Sequence, residues 1–227
     1  MYKVPLNKFL KKIFIKESLL LHPLPSYLPL EISTTDKLDP KKETIDILLI
    51  TGDTKNKNIH NTIKIIETIF NYFPKKSHKY PVFHLIGINK SFKFNNIYEN
   101  NIINYGKNII TSDLANLHLK CDFYLSLSSQ EGFGIPLLDT LLLGLYPIIS
   151  EIETYKEIIS SYKYLDFKHL FIDLDNSFEK SSKLIIKFIR KYHHEIYNNK
   201  INSLKKYEKE FQKLSNINKV KIKTLIN

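Results

Sequence analysis

The sequence predicts an α/β protein: a Rossmann-like parallel sheet with helices on both faces. Three observations predict it. From residue 45 onward, short runs rich in Ile, Leu and Phe alternate with longer segments whose apolar residues recur at helical spacing. Strands separated by helices pair in parallel through right-handed crossovers. All six glycines fall after strands, in turns or at a helix end, where the backbone of such a sheet must turn.

Each element follows from a local pattern. Residues 6–21 read as an amphipathic helix, with Leu6, Phe9, Leu10, Ile13, Phe14 and Leu19 opposite Lys8, Lys11, Lys12 and Lys16. Such a stripe either packs on a domain or lies on an acidic membrane surface. Pro23, Pro25, Pro29 and Pro40 make residues 22–44 a linker or a surface loop. A strand is expected at Ile45–Thr51, ended by Gly52, then a helix at Asn58–Phe73 with Ile59, Ile63, Ile66 and Phe70 on one face, ended by Pro74. Strands at Val82–Ile86 and Asn101–Tyr105 end at Gly87 and Gly106. A helix at Ser112–Lys120 has Ser112 as its expected cap. Next come a strand at Phe123–Leu127, a helix opening at Pro136 and stopping at Gly144, and a strand at Tyr146–Ile149. A helix near Glu153–Ser160, a strand near Leu170–Asp173 and two lysine-rich helices near 177–197 and 200–224 complete the chain. The expected domains are 1–44, a helix and proline-containing linker; 45–200, the sheet domain; and 201–227, a C-terminal helix.

Composition narrows the function. The chain has 227 residues, 43% apolar and 25% charged, the profile of a soluble globular protein. No apolar run reaches the roughly 18 residues of a membrane span, and no small-residue cleavage site follows the N-terminal apolar stretch. The single cysteine, Cys121, permits no internal disulfide, and the expectation is a cytoplasmic protein. Cys121 reads as a small core residue. The net charge of +11 comes from lysine, with Arg190 the only arginine and Ala115 the only alanine; this resembles compositional drift more than a selected surface. Lysine-rich helices leave peripheral contact with the inner face of a membrane as an expected partner mode. Nucleic acid is disfavoured, since no aromatic-basic RNA signature or zinc spacing is present. His193-His194 falls on a late surface helix, no metal-ligand spacing appears, and Asp173-Leu174-Asp175 reads as an acidic turn, so no metal is expected.

The stretch Ser128-Ser129-Gln130-Glu131-Gly132-Phe133-Gly134-Ile135-Pro136-Leu137-Leu138-Asp139 carries the chemistry. Gly132 and Gly134 permit a tight loop whose backbone a ligand can approach. Pro136 suits the first helical residue, since its missing N–H needs no partner there. Strand, glycine loop and helix start make a site for an anion. Glu131 and Asp139 suit hydroxyls, so a ligand with sugar hydroxyls at its ends and a diphosphate in its middle fits the pattern. The plain alternative is a tight connection with both acids solvated.

Glu131-Gly-Phe-Gly-Ile-Pro-Leu-Leu-Asp139, with Gly144, Pro147-Ile-Ile-Ser150 and Glu157, resembles the C-terminal domain signature of GT-B glycosyltransferases of the GT4-type group (glycosyl transferases group 1). The resemblance covers about residues 45–175. In that family two glutamates stand eight residues apart; Asp139 replaces the second. By resemblance Glu131, Phe133 and Gly134, with Gly132 and Ile135 beside them, hold the donor sugar and its phosphate, and Asp139 holds the ribose. The family has Gly-Arg after the first strand and a lysine further on, both gripping the diphosphate. Here Gly52 is followed by Asp53, a reversed charge, while Lys57 matches the lysine; either Lys55 takes over from the arginine, or the donor is held less tightly, or the site is degenerate. A solvated lysine at a helix start is the alternative for Lys57, although the helix dipole disfavours cations there unless an anion joins them. Ser129 either reaches phosphate or fills the loop. Tyr105-Gly106 and Ser112-Asp113-Leu114 match a loop that contacts the base.

The resemblance implies the donor-binding half of a glycosyltransferase, with Glu131 and Lys57 as catalytic residues. The donor is a nucleotide-diphosphate sugar; the acceptor is open; retention and metal independence follow the family. Residues 1–44 are too few for an acceptor domain, so either a separate acceptor-domain chain is the partner, or the chain is a fragment, or it has lost activity. The alternative function is a non-catalytic binding or scaffold module on the same fold.

Overall fold

A computed structural model describes residues 42–74, 79–92, 94, 100–162 and 167–205. The expected N-terminal helix, most of the linker, and the C-terminal helix beyond residue 205 lie outside the described residues. Six strands form one parallel sheet: β1 (Thr44–Ile50), β2 (Tyr80–Ile86), β3 (Ile102–Gly106), β4 (Phe123–Ser126), β5 (Tyr146–Ser150) and β6 (Leu170–Ile172). Helices α1 (Ile59–Tyr72), α2 (Thr111–Lys120), α3 (Ile135–Leu142), α4 (Glu153–Ser161) and α5 (Phe178–Tyr192) connect or follow them.

The strand order is β3-β2-β1-β4-β5-β6. The chain winds outward from β1 in one direction, then returns and winds outward from β4 in the other. The carboxyl ends of β1 and β4 therefore flank the point where the winding reverses, the place where open α/β sheets leave a crevice for a ligand. Both glycine-bearing loops singled out by the sequence leave from these two strands.

Period-two alternation divides the strands between two cores. Ile47, Leu49, Phe83, Leu85, Phe123, Leu125 and Ile148 face α1 and α5, where they meet Ile63, Ile66, Ile69, Ile185 and Ile189. Leu48, Tyr124 and Ile149 face the opposite way, toward Leu117 on α2, Leu137, Leu138 and Leu141 on α3, and Tyr155 and Ile158 on α4. Helices thus cover both faces, as expected. A side chain such as Ile66, fully buried, contributes about 1.5–3 kcal/mol by leaving water.

Several boundaries differ from the sequence reading, each for a local reason. Ser112 is not the cap of α2: the helix begins at Thr111 and Ile110 occupies the cap position in extended backbone. Pro136 is the second helical residue of α3, because Gly134, at φ 69, turns the chain one residue earlier and leaves Ile135 first. The loop after β1 contains a 3-10 turn, Lys55–Lys57, closed by Asn58 in the left-handed region. The first lysine-rich helix ends at Tyr192, a turn occupies 193–195, and helix resumes at 196–205.

Gly87 fixes the rim of the crevice. Its φ is 93, and a Cβ there would fall 1.7 Å from the Thr51 carbonyl oxygen. Only glycine lets β2 turn away this close to the end of β1. Among the described residues no helix is long and apolar enough to cross a membrane.

Candidate functional site

The loop after β1 and the loop after β4 are laced together by backbone and amide hydrogen bonds. Ser129 donates its backbone N–H to the Asn56 carbonyl at 2.8 Å, and its hydroxyl reaches the same oxygen at 3.3 Å. The Asn56 amide donates to Gln130 O at 3.2 Å, and that of Asn58 to Leu127 O at 3.1 Å. These asparagines hold the lysine-bearing turn against the glycine loop.

The result is an ion pair at the mouth of the crevice. The Lys57 ammonium lies 2.6 and 2.8 Å from the two carboxylate oxygens of Glu131, although the residues are 74 positions apart. The lysine side chain is 25% exposed and the glutamate 12%, so a ligand can reach both. Partly exposed pairs of this kind stabilise a fold by about 1 kcal/mol or less. A diphosphate, carrying more negative charge than one carboxylate, can therefore draw the lysine away.

The glycine loop is open above and packed below. A Cβ on Gly132 would meet nothing within 4 Å, and the same holds at Gly52. A Cβ on Gly134 would lie 2.8 Å from Ile158 Cδ1 and 3.4 Å from Tyr155 Cε1, so this part of the loop lies directly on α4. Phe133 and Ile135 project outward, 38% and 51% exposed. Ser129 and Lys55 are exposed at the same rim.

Asp139 is placed differently from Glu131. It sits among the buried residues of α3, 3% exposed. Burial drives the nearby Tyr124 phenol well above its usual pKa, with Tyr155 and the Glu131 and Asp139 charges adding to it and the Ser126 hydroxyl opposing.

Asp53, the reversed charge, is paired with Lys107, in the loop after β3. Its negative charge is thereby offset, although both side chains remain about half exposed. Tyr105 stacks on the buried His84, with its hydroxyl 3.0 Å from Nδ1, and so belongs to the sheet. Asp173 accepts from the Asp175 backbone N–H at 3.0 Å, forming a turn. Cys121 is buried, and burial raises its thiol pKa far above the ordinary value, which removes it as a nucleophile.

Sequence reasoning missed a layer of hydroxyls beneath the loop. Tyr155 on α4 donates to Glu131 Oε1 at 3.2 Å and lies 2.7 Å from the Ser126 hydroxyl. Ser126 and Ser128 are 3.5 Å apart, and Thr154 donates to the Glu131 carbonyl at 3.0 Å. Burial, with the Glu131 charge adding to it and the Ser126 hydroxyl opposing, raises the Tyr155 pKa, so the phenol stays protonated. In the sequence Tyr155 shares a helical face with Ile158 and Ile159 and reads as core.

A profile of the family described as glycosyl transferases group 1 matches residues 33–221. Over 136 residues, 58% of this chain and 40% of the other, the sequence is 29% identical to a candidate glycosyltransferase, ORF330, of Acidianus filamentous virus 2 (isolate Italy/Pozzuoli). Among solved structures, WaaG, a glycosyltransferase involved in lipopolysaccharide biosynthesis, is similar with a TM-score of 0.56 and 18% identity, over 79% of this chain and 49% of that one. The pneumococcal O-GlcNAc transferase GtfA, solved with UDP and GlcNAc, gives 0.55 and 15%, over 82% and 37%. At these identities the structural likeness shows the fold. The chain spans about half or less of the length of each protein it matches here.

Proposed function

Because this chain belongs to the glycosyl transferases group 1 family, we propose that it is the donor-binding half of a glycosyltransferase, holding a nucleotide-diphosphate sugar at the β1–β4 crevice. The observation that carries this reading is the Lys57–Glu131 pair, partly exposed and next in the chain to the open backbone of Gly132. Lys57 and the loop amides receive the diphosphate, and Glu131, released from the lysine, accepts hydrogen bonds from sugar hydroxyls. As the bond from the anomeric carbon to the diphosphate breaks, negative charge grows on the leaving oxygen. Lys57 and the positive end of α3 lie where that charge develops. Asp139 reaches the ribose only if α3 yields some of its burial.

Retention at the anomeric carbon and independence from metal follow the family and belong to this proposal. So does the acceptor half, contributed by a partner chain or by another part of a longer protein, since positioning an acceptor takes groups on the far side of the crevice. A cytoplasmic setting, with peripheral contact at a membrane's inner face through the lysine-rich helices, completes the proposal. One observation favours a non-catalytic binding module instead: Asp53 stands where a phosphate-gripping arginine is expected, and Lys107 is engaged with it.

Calorimetric titration with UDP, GDP and their sugars tests the reading. Micromolar to sub-millimolar binding is expected, weakened at least tenfold, about 1.4 kcal/mol, in Lys57→Ala. Glu131→Ala should affect the sugar nucleotides more than the bare diphosphates. Absence of binding at millimolar ligand would retire the donor proposal.

A further inference from the structure

Glu131 has two kinds of side-chain partner, and they differ in permanence. The Lys57 ammonium is partly exposed and is the group that a diphosphate claims. The Tyr155 hydroxyl, 3.2 Å from Oε1, is on a residue only 1% exposed, beneath Gly134, where no ligand reaches. With the phenolic proton directed at the carboxylate, the Ser126 hydroxyl, 2.7 Å away, donates to the phenolic oxygen. Ser126 to Tyr155 to Glu131 is then a directed chain of hydrogen bonds running from the end of β4 to the crevice mouth.

A glutamate side chain loses appreciable rotamer freedom when held in one geometry. Once Lys57 turns to a diphosphate, the Tyr155 hydroxyl is the side-chain contact in this set that still fixes the Glu131 carboxylate. We propose that Tyr155 is a positioning residue, which keeps Glu131 aimed at the sugar end of the donor after Lys57 has left it, with Ser126 orienting the phenol. This rests on the donor reading above and adds to it a separation of roles. Affinity for the diphosphate belongs to Lys57 and the loop. Preference for a sugar nucleotide over the bare nucleotide depends on a buried tyrosine that touches no ligand.

The test compares two ligand classes across three proteins. UDP and GDP, then UDP-glucose, UDP-N-acetylglucosamine and GDP-mannose, are titrated calorimetrically into wild type, Tyr155→Phe and Ser126→Ala, with thermal unfolding of each. Tyr155→Phe should bind the nucleoside diphosphates within about twofold of wild type and the best-bound sugar nucleotide five- to tenfold more weakly. Ser126→Ala should act in the same direction, about two- to fivefold, and it carries the test should Tyr155→Phe fail to fold. A variant that weakens both ligand classes equally, or neither, overturns the positioning role while leaving the donor reading standing. A wild-type protein that binds none of the five ligands overturns the donor reading itself, and the positioning role falls with it.

Discussion

Gly132 and Gly134 stand two residues apart in one loop, and the same substitution should act on them oppositely. Gly134 has φ 69, a conformation that costs an alanine about 1–2 kcal/mol. Its new methyl would also meet Ile158 Cδ1 at 2.8 Å. That atom is the end of a flexible side chain, so relief costs up to about 1 kcal/mol. The total, about 2 kcal/mol, corresponds to a melting temperature roughly 4–8 °C lower for a domain of this size. Gly132 lies outside the positive-φ set, and its methyl would meet nothing within 4 Å. Gly132→Ala should therefore range from no change to a gain of about 1 kcal/mol from reduced freedom in the unfolded chain. On the proposed donor reading its cost appears in binding, because the methyl would occupy the space through which a phosphate approaches the backbone: UDP should bind about tenfold more weakly, or 1.4 kcal/mol. Circular-dichroism melts and calorimetry on both variants read the two effects separately. Equal melting losses, or Gly134→Ala melting within 1 °C of wild type, would refute the claim that the loop rests on α4 at one glycine and is open at the other.

Asp53→Arg removes a negative charge beside the crevice and supplies a cation. At about half exposure solvent screens much of the gain, and UDP affinity should rise about three- to tenfold; unchanged affinity in a titration would place Asp53 outside the diphosphate's reach. His118 supplies a pH dependence of stability. Burial lowers its pKa to about 4 from 6.5, against the hydrogen bond to the Leu114 carbonyl, which works the other way. In the unfolded chain the imidazole takes up a proton as pH falls through about 6.5, and in the folded chain it resists until about 4. Stability from this group is therefore complete above pH 6.5 and lost between there and pH 4, by roughly 3 kcal/mol. Urea unfolding from pH 7 to 4.5 should show this slope, and His118→Leu should flatten it; parallel curves would assign the slope to other groups.

Much of the architecture was readable because its causes are local. The unbroken apolar run Ile47-Leu48-Leu49, bounded by Gly52, and the helical period of Ile59, Ile63 and Ile66 report burial within one element. The same holds for the Glu131–Asp139 stretch, whose glycines and proline announce a strand, a turn and a helix start without reference to anything distant. The boundary shifts at Ser112 and Pro136 have equally local causes, one residue each, set by which backbone takes the extended or left-handed conformation.

The partners of the site residues were another matter. Nothing near Lys57 in the chain indicates that its ammonium meets a carboxylate 74 positions later, nor that Asp53 meets Lys107. Those meetings exist because β1 lies beside β4 and near β3 in the sheet, and strand order is a property of the whole packing. Tyr155 shows the same limit, since a phenol on an apolar helical face looks identical whether its hydroxyl is solvated or ends beneath a glutamate. Local patterning thus established where strands, helices and the glycine-bearing turn lie along the sheet domain. The pairing of Lys57 with Glu131, the burial of Asp139 and the hydroxyl chain under the loop awaited the folded sheet, because each depends on which distant segments the hydrophobic cores press together.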